Sequence, residues 1–309
     1  MNKDYFTLSD LQDRHLIDDG DERLAKLAVI GCPIAHSKSP AMQQAALDVA
    51  GVPMRYIRIE AQPGEFSLVV NRLCELGFIG ANVTVPYKRE ASALCEDVDA
   101  LSRLTGASNT LVFPRDGMGM MGFNTDGPGF VRAIRECFAV DVRDLKIVLL
   151  GATGGAGMAL AHTCALNVCE RLVLVGRDEG KLDALRCRLV SSFVDERRLE
   201  GAADRLMSVS FDSSHLAEVI DDADLIVNAT SLGLKPTDLS PIPASMISPH
   251  LLVYDLMTHS DAFQIDAVSC GSRVANGRSM LLHQGALSFE RWFGKAPDLV
   301  AMRSALGMS

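Results

Sequence analysis

Leu145-Lys146-Ile147-Val148-Leu149-Leu150-Gly151-Ala152-Thr153-Gly154-Gly155-Ala156-Gly157-Met158-Ala159-Leu160 is the stretch on which the fold turns. The run to Leu150 reads as a buried strand, and the Ala- and Leu-rich run after Gly157 as a helix. Between them stand four glycines in seven residues, Gly151 to Gly157. Glycines there let the backbone turn tightly and approach a pyrophosphate, whose charge the helix N-terminus holds. The spacing, Gly151-xxx-Gly155-x-Gly157, is not the six-residue G-x-G-x-x-G, and a glycine-rich turn can also be a bare strand–helix connection. Its place at a strand–helix junction favours dinucleotide binding.

Working outward, residues 171–175 read as the next strand, with Gly176-Arg177-Asp178 as the loop after it. Residues 225–228 and 251–254 supply two more strands, completing a doubly wound βαβ series. Upstream, 27–31, 56–59, 81–85 and 110–113 read as strands, with Pro86 cutting off the third. Helical spacing covers 40–50, with Ser39 as N-cap and Pro40 at the first position, then 66–76 up to Gly77, and 89–97. After Asn276 helix resumes, with Leu281, Leu282, Phe289 and Trp292 at helical spacing. The class is therefore α/β with mainly parallel sheets. Two domains are expected: residues 1–125 plus 277–309 as a discontinuous substrate-binding and catalytic domain, and 126–276 as a Rossmann-type NAD(P)-binding domain. Residues 1–24 read as an acidic extension ahead of the first strand.

The chain has 309 residues, 48% of them hydrophobic and 22% charged, which suits an ordinary globular protein of about two domains. A net charge of −9 argues against a nucleic-acid partner, because phosphate neutralisation needs clustered Lys and Arg. A small anionic substrate stays compatible, since a few cations focused in one cleft suffice. Eight scattered cysteines without a CxxC pair point to a reducing compartment rather than to a disulfide scaffold or a zinc site. The first 23 residues hold seven acids, three basic residues and no apolar core, unlike a signal peptide. No apolar run reaches the ~18 residues that span a bilayer. A cytoplasmic location is expected, with no metal, no membrane and no nucleic acid, and a homodimer left open.

Cofactor choice is read after the strand at 171–175. Asp or Glu there suits a ribose 2′-hydroxyl, whereas Arg accommodates a 2′-phosphate. Arg177 and Lys181 favour NADP over NAD, against Asp178, which either accepts from the ribose or repels a phosphate. Ordinary surface charge is the plain alternative.

In the first half, Gly31-Cys32-Pro33-Ile34-Ala35-His36-Ser37-Lys38-Ser39-Pro40 sets two hydroxyls at alternate positions, and helix capping explains them equally well. Gly80-Ala81-Asn82-Val83-Thr84-Val85-Pro86-Tyr87-Lys88 puts Asn82, Thr84 and Pro86 on one strand face, with Lys88 just beyond. Gly106-Ala107-Ser108-Asn109-Thr110 and Gly122-Phe123-Asn124-Thr125-Asp126-Gly127 add an amide and a carboxylate. Together with Asn228-Ala229-Thr230-Ser231-Leu232-Gly233 and Met280-Leu281-Leu282-His283-Gln284-Gly285, these ordered motifs resemble the shikimate dehydrogenases and quinate/shikimate dehydrogenases. The resemblance runs from Val29 to Trp292.

That resemblance implies a role for each matching position. Lys88 corresponds to the family's catalytic lysine and Asp126 to the carboxylate that works with it; taken alone, the two would read as a structural ion pair. Ser37 and Ser39 correspond to hydroxyls that bind the substrate carboxylate. Asn82, Thr84, Asn109 and Gln284 correspond to groups that hold the ring hydroxyls and the catalytic pair. Gly151, Ala152, Thr153, Gly154, Gly155, Ala156, Gly157, Arg177, Lys181, Asn228 and Thr230 correspond to the cofactor segment. Three departures stand out: Thr258 where the family usually has a pocket-lining tyrosine, no proline in His259-Ser260-Asp261, and a glycine loop one residue longer than usual.

The implied reaction is NAD(P)-dependent, reversible oxidation of shikimate, an anionic cyclitol, to 3-dehydroshikimate in a cleft between the domains. Moving a hydride to nicotinamide requires a proton to leave the alcohol oxygen, and a lysine beside a carboxylate can take it. Thr258 motivates quinate or an aminoshikimate as alternative substrates. A non-catalytic nicotinamide-binding paralogue is the reading from another class, disfavoured because Lys88 and Asp126 are both present.

Overall fold

The computed structural model describes residues 3–18, 20–114, 119–193, 201–235 and 237–308. The chain forms two compact units, Met1–Thr125 with Leu281–Ser309, and Asp126–Met280. The return to the first unit falls inside the helix Arg278–Phe293 rather than ahead of it.

The first unit is built on β1 (Phe6–Thr7), β2 (Leu24–Gly31), β3 (Met54–Glu60), β4 (Gly80–Val83), β5 (Asp97–Val98), β6 (Thr110–Val112) and β7 (Met121–Phe123). These lie in the order β1-β3-β2-β4-β6-β7-β5. β6 runs antiparallel to both β4 and β7, while the pairings β1–β3, β2–β3, β2–β4 and β5–β7 are parallel, so the sheet is mainly parallel as expected, with one reversed strand. Residues 1–24 are not an appendage. β1 pairs with β3, and Leu11 and Ile17 are fully buried, so this segment contributes core surface that burial stabilises. The helix Ser39–Val49 takes Ser39 as its first residue; its cap position is Lys38, with no side-chain bond, so Ser39 is not the cap. β4 ends at Val83, which puts Thr84 and Pro86 past the strand rather than on its face. Gly80 is needed where it stands: a Cβ would lie 2.3 Å from Trp292 Nε1 and 2.4 Å from Leu111 O, the pair joined by a 3.0 Å hydrogen bond.

The second unit is built on β8 (Lys146–Leu150), β9 (Arg171–Gly176), β10 (Leu206–Ser210), β11 (Leu225–Asn228), β12 (Leu252–Asp255) and β13 (Arg273–Asn276). All pairings are parallel, in the order β10-β9-β8-β11-β12-β13. This is the doubly wound arrangement, with the order reversing between β8 and β11. Along β8, Ile147 and Leu149 enter one core cluster while Val148 and Leu150 enter the other, the period-2 signature of a strand covered on both faces. β10 and β13 escape a reading of the sequence because their short runs carry polar residues (Ser208 and Ser210, then Arg273 and Asn276).

Candidate active site

In the first unit the antiparallel β6 does the assembling. Because it opposes β4 and β7, the end of β4, the start of β6 and the end of β7 meet, with Asn82 opposite Thr110 and Thr110 opposite Phe123. Asn109 and Thr125 follow from that register, and the helix Arg278–Phe293 brings Gln284 and Ser288, one turn apart, against them.

The result is a buried hydrogen-bond network. The Asn82 amide nitrogen lies 3.2 Å from Asn109 O, 3.2 Å from Thr110 Oγ1 and 2.9 Å from Ser288 Oγ, and its oxygen accepts from the Tyr56 hydroxyl at 2.8 Å. Burial pushes the Tyr56 phenol well above its usual pKa, keeping that proton in place. Asn109 Nδ2 donates to Thr125 Oγ1 at 2.9 Å and to Gln284 Oε1 at 3.3 Å, while Asn109 Oδ1 accepts from the Thr125 N–H at 2.8 Å. Such a network fixes side-chain orientation, because turning any member leaves a buried polar atom unpaired. Tyr56, Thr110, Thr125 and Ser288 were not among the expected residues. Thr110 and Thr125 lie within the motifs quoted around Asn109 and Asp126, and Ser288 stands at i, i+4 from Gln284.

Ser37 and Thr84 stand at the ends of neighbouring strands. The Thr84 N–H donates to Ile30 O at 2.9 Å and the Cys32 N–H to Val85 O at 3.2 Å, tying the chain after β4 to the end of β2. Arg58 donates from Nε and Nη2 to Ser37 O at 3.1 and 2.8 Å, and Ser37 Oγ accepts from the Ser39 N–H at 3.3 Å. Ser39 is buried and Ser37 half-buried. Lys88 opens the helix Lys88–Leu94, and its carbonyl accepts from the Ser108 N–H at 2.9 Å, which sets it beside Asn109 in the fold. Asp126, 8% exposed, begins the helix Asp126–Phe138 directly after Thr125.

In the second unit the glycine loop follows β8. Gly151 sits at φ 77°, where a Cβ would lie 2.9 Å from Ala229 C and O and Thr230 N, so the loop rests backbone-to-backbone on the turn after β11. The helix Gly155–Leu166 has Gly154 as N-cap without a side-chain bond, and its first-turn N–H groups lack an intrahelical acceptor. A phosphate suits them, so the donor set fits the expected cofactor. Asn228 Oδ1 accepts from Thr230 N and Oγ1 at 3.0 and 2.7 Å, so these two residues shape the supporting turn.

Asp178 caps the helix Glu179–Leu189 by accepting from the Lys181 N–H at 3.0 Å, and its other oxygen pairs with Lys181 Nζ at 3.2 Å. Those bonds hold the Asp178 carboxyl below its usual pKa. Lys181, expected to act as a second phosphate clamp, is exposed, and its Nζ pairs with Asp178 at the surface. Arg177 is exposed and has no carboxylate partner among the described residues. At the end of β12, Asp255 is fully buried, accepting from Asn228 Nδ2 and the Met257 N–H at 3.1 Å each and from Gln264 Nε2 at 3.1 Å. Burial and the nearby Asp261 carboxyl raise its pKa. His259 bridges through Nε2 to Gly233 O at 2.9 Å. Among the described residues no cluster of His, Cys, Asp or Glu is placed to hold a metal, and no helix is long and apolar enough to cross a membrane.

Residues 29–111 match the shikimate dehydrogenase substrate-binding domain and residues 277–306 the shikimate 5′-dehydrogenase C-terminal domain. A shikimate dehydrogenase (NADP(+)) of Methanopyrus kandleri is 33% identical over 284 residues, covering 91% of this chain and 94% of its own. The shikimate 5-dehydrogenase of Thermus thermophilus, solved with NADP(H) and shikimate, is 31% identical at a TM-score of 0.75, covering 92% and 99%. Quinate dehydrogenase from Corynebacterium glutamicum, solved with NAD, is 26% identical at a TM-score of 0.77, covering 90% and 97%.

Proposed function

The chain belongs to the shikimate dehydrogenase family, and from that premise we propose that it catalyses the reversible, NADP-dependent oxidation of shikimate to 3-dehydroshikimate. The observation that carries the reading is the locked network of Asn82, Asn109, Thr125, Gln284 and Ser288, with Lys88 tied in through Ser108. A rigid polar wall of this kind selects a polyhydroxylated ring, because an analogue lacking one hydroxyl leaves buried groups unpaired.

Bound at the glycine loop, the dinucleotide supplies the hydride acceptor. Lys88 Nζ takes the proton of the reacting hydroxyl as its carbon gives up hydride, and returns it in the reverse direction, with Asp126 assisting. Ser37 and Ser39 hold the substrate carboxylate, their segment pinned by Arg58. Thr84, Asn109 and Gln284 face the ring hydroxyls, while Asn82 acts by orienting its neighbours. Arg177 takes the 2′-phosphate, and Asp178, tied to its own helix, does not oppose it.

Absorbance of reduced nicotinamide, with shikimate and quinate crossed against NADP and NAD, tests this reading. Turnover is expected with shikimate and NADP, and Lys88→Ala should lose most of it while keeping its fold and its dinucleotide binding. Unchanged turnover in that variant refutes the assignment. Faster turnover of quinate, the substrate named for the Corynebacterium relative, would move the reading to that compound, in keeping with Thr258.

A further inference from the structure

We propose that Gln43 is a positioning residue, whose bond to the Gly285 carbonyl fixes the register of the helix Ser39–Val49 against the helix Arg278–Phe293 and so the spacing between Ser39 and Gln284. The inference rests on the proposed function and deepens it, naming what holds the two ends of the substrate site at a set distance. Gln43, Ser39, Gln284 and Gly285 all lie in the first unit.

The seam between these two helices is apolar. Met42, Ala46 and Leu47 on one helix and Leu282, Ala286 and Phe289 on the other belong to a single core cluster. Gln43, 0% exposed, stands among them. Its Nε2 donates to Gly285 O at 2.9 Å. A Cβ on Gly285 would run into the end of the Met42 side chain and lie 3.3 Å from Gln43 Nε2, so glycine is what lets the two helices approach this closely. Gln43 Oε1 is buried with no hydrogen-bond partner among the described residues.

That unpaired oxygen argues against a stabilising role. A buried acceptor without a donor lowers stability, and an unbranched apolar side chain of similar volume would fill the space without that loss. Gly285 O does not need the bond either, since a carbonyl inside a helix accepts from the N–H four residues on. A lone polar residue in an apolar helix seam gives up stability for register, because one axial alignment alone satisfies it. Here the register has a use. Ser39 lies one turn before Gln43, and Gln284 immediately precedes Gly285. In the proposed reading Ser39 binds the substrate carboxylate and Gln284, its Oε1 accepting from Asn109 Nδ2 at 3.3 Å, faces the ring hydroxyls. Slipping either helix by one residue moves its side chains about 1.5 Å along the axis, whereas hydrogen-bond lengths span about 0.5 Å.

The test compares wild type, Gln43→Met and Gln43→Glu by melting temperature and by steady-state kinetics with shikimate and NADP. Gln43→Met should melt at or above wild type and yet raise KM for shikimate about threefold to tenfold, the worth of one neutral hydrogen bond. Its kcat and its KM for NADP should change little, because Lys88 and the glycine loop stand on other elements. In Gln43→Glu the buried carboxyl titrates above its usual pKa, and only its protonated form can donate to Gly285 O. Its shikimate KM relative to wild type should therefore fall toward one at low pH and rise with pH, while the ratio for Gln43→Met stays constant. A lowered melting temperature in Gln43→Met, or equal rises for shikimate and NADP, would assign Gln43 a merely structural role and overturn the inference. A ratio for Gln43→Glu that stays flat with pH overturns it too. Wild-type turnover is recorded first. Its absence overturns the proposed function and this inference together, whereas turnover with an unchanged shikimate KM in Gln43→Met overturns this inference alone.

Discussion

Replacing Asn82 by Asp changes one NH2 into an oxygen at constant volume and asks whether the buried network depends on that donor as its distances imply. The amide nitrogen faces Asn109 O, Thr110 Oγ1 and Ser288 Oγ, all within 3.2 Å. A carboxylate can donate to none of them. The two hydroxyls could turn to donate instead, but Thr110 already donates to Asn109 Oδ1 at 3.2 Å and Ser288 to Gln284 O at 2.9 Å. Only the Tyr56 hydroxyl keeps its bond without loss elsewhere. Asn109 O retains the Val83 N–H at 2.8 Å, so it meets repulsion rather than isolation. Three bonds at roughly 1 kcal/mol each give a loss of about 3 kcal/mol for the ionised side chain. The site is 5% exposed, so burial raises the pKa of the introduced carboxyl above its unfolded value. Its protonated form regains one donor, and that stability is present at low pH and lost as pH rises through the raised pKa. The assay is urea unfolding followed by the fluorescence of Trp292, the only tryptophan, buried in the same unit. At about 2 kcal/mol per molar urea, the midpoint should fall by about 1.5 M at pH 8 and by clearly less at pH 5. A shift at pH 8 under about 0.3 M, or equal shifts at both pH values, would refute the reasoning.

Gly157→Ala should cost both stability and NADP binding, because its Cβ would lie 2.2 Å from Gly151 O and 2.9 Å from Ala152 Cα, both backbone. Gly155→Ala meets nothing within 4 Å and should keep its melting temperature, so equal destabilisation of the two variants would contradict the packing argument. Asp255 carries a pKa raised from 3.8 to about 7, which makes its contribution favourable at low pH and progressively lost between those values. Asp261→Asn removes one cause of the rise while leaving an oxygen to cap the helix Ala262–Ser269. Unfolding free energy should therefore fall less steeply with pH across that window in the variant, and parallel pH profiles would rule the coupling out.

What can be read in advance follows from how local the determinant is. The glycine loop, β8 and the helix Gly155–Leu166 are contiguous, and their pattern of apolar run, glycines and alanines is decided by neighbours in the chain. The same holds for the helix Phe66–Glu75, stopped by Gly77 at φ 68°. The acidic stretch before β2 is misjudged from sequence because composition averages over it, whereas the fold buries Phe6, Leu11 and Ile17, three apolar residues among charges, and uses Asp18 to accept from Arg14, Arg55 and the Ala25 N–H. Asp178 reads as a ligand because its charge is visible in the sequence. Its bond to the Lys181 N–H depends on the helix beginning at the next residue, and that is a fact of register.

The polar network is legible only in part for a related reason. Asn82, Asn109 and Gln284 lie in recognisable motifs, but Tyr56, Thr110, Thr125 and Ser288 gain their roles from pairings 15 to 206 residues apart in the chain. The pairings of Thr110 exist because β6 runs antiparallel. A parallel β6 would put Thr110 at the far end of the sheet from Asn82 and break the bonds between the two, leaving Asn82 only Tyr56 and Ser288. The strand direction and the buried amides therefore constrain each other. The sheet reversal costs the fold its parallel regularity, and the network it closes makes that reversal the stable choice. Residues that position the site are thus selected by topology before chemistry, and a motif search, which sees only chemistry, passes over them.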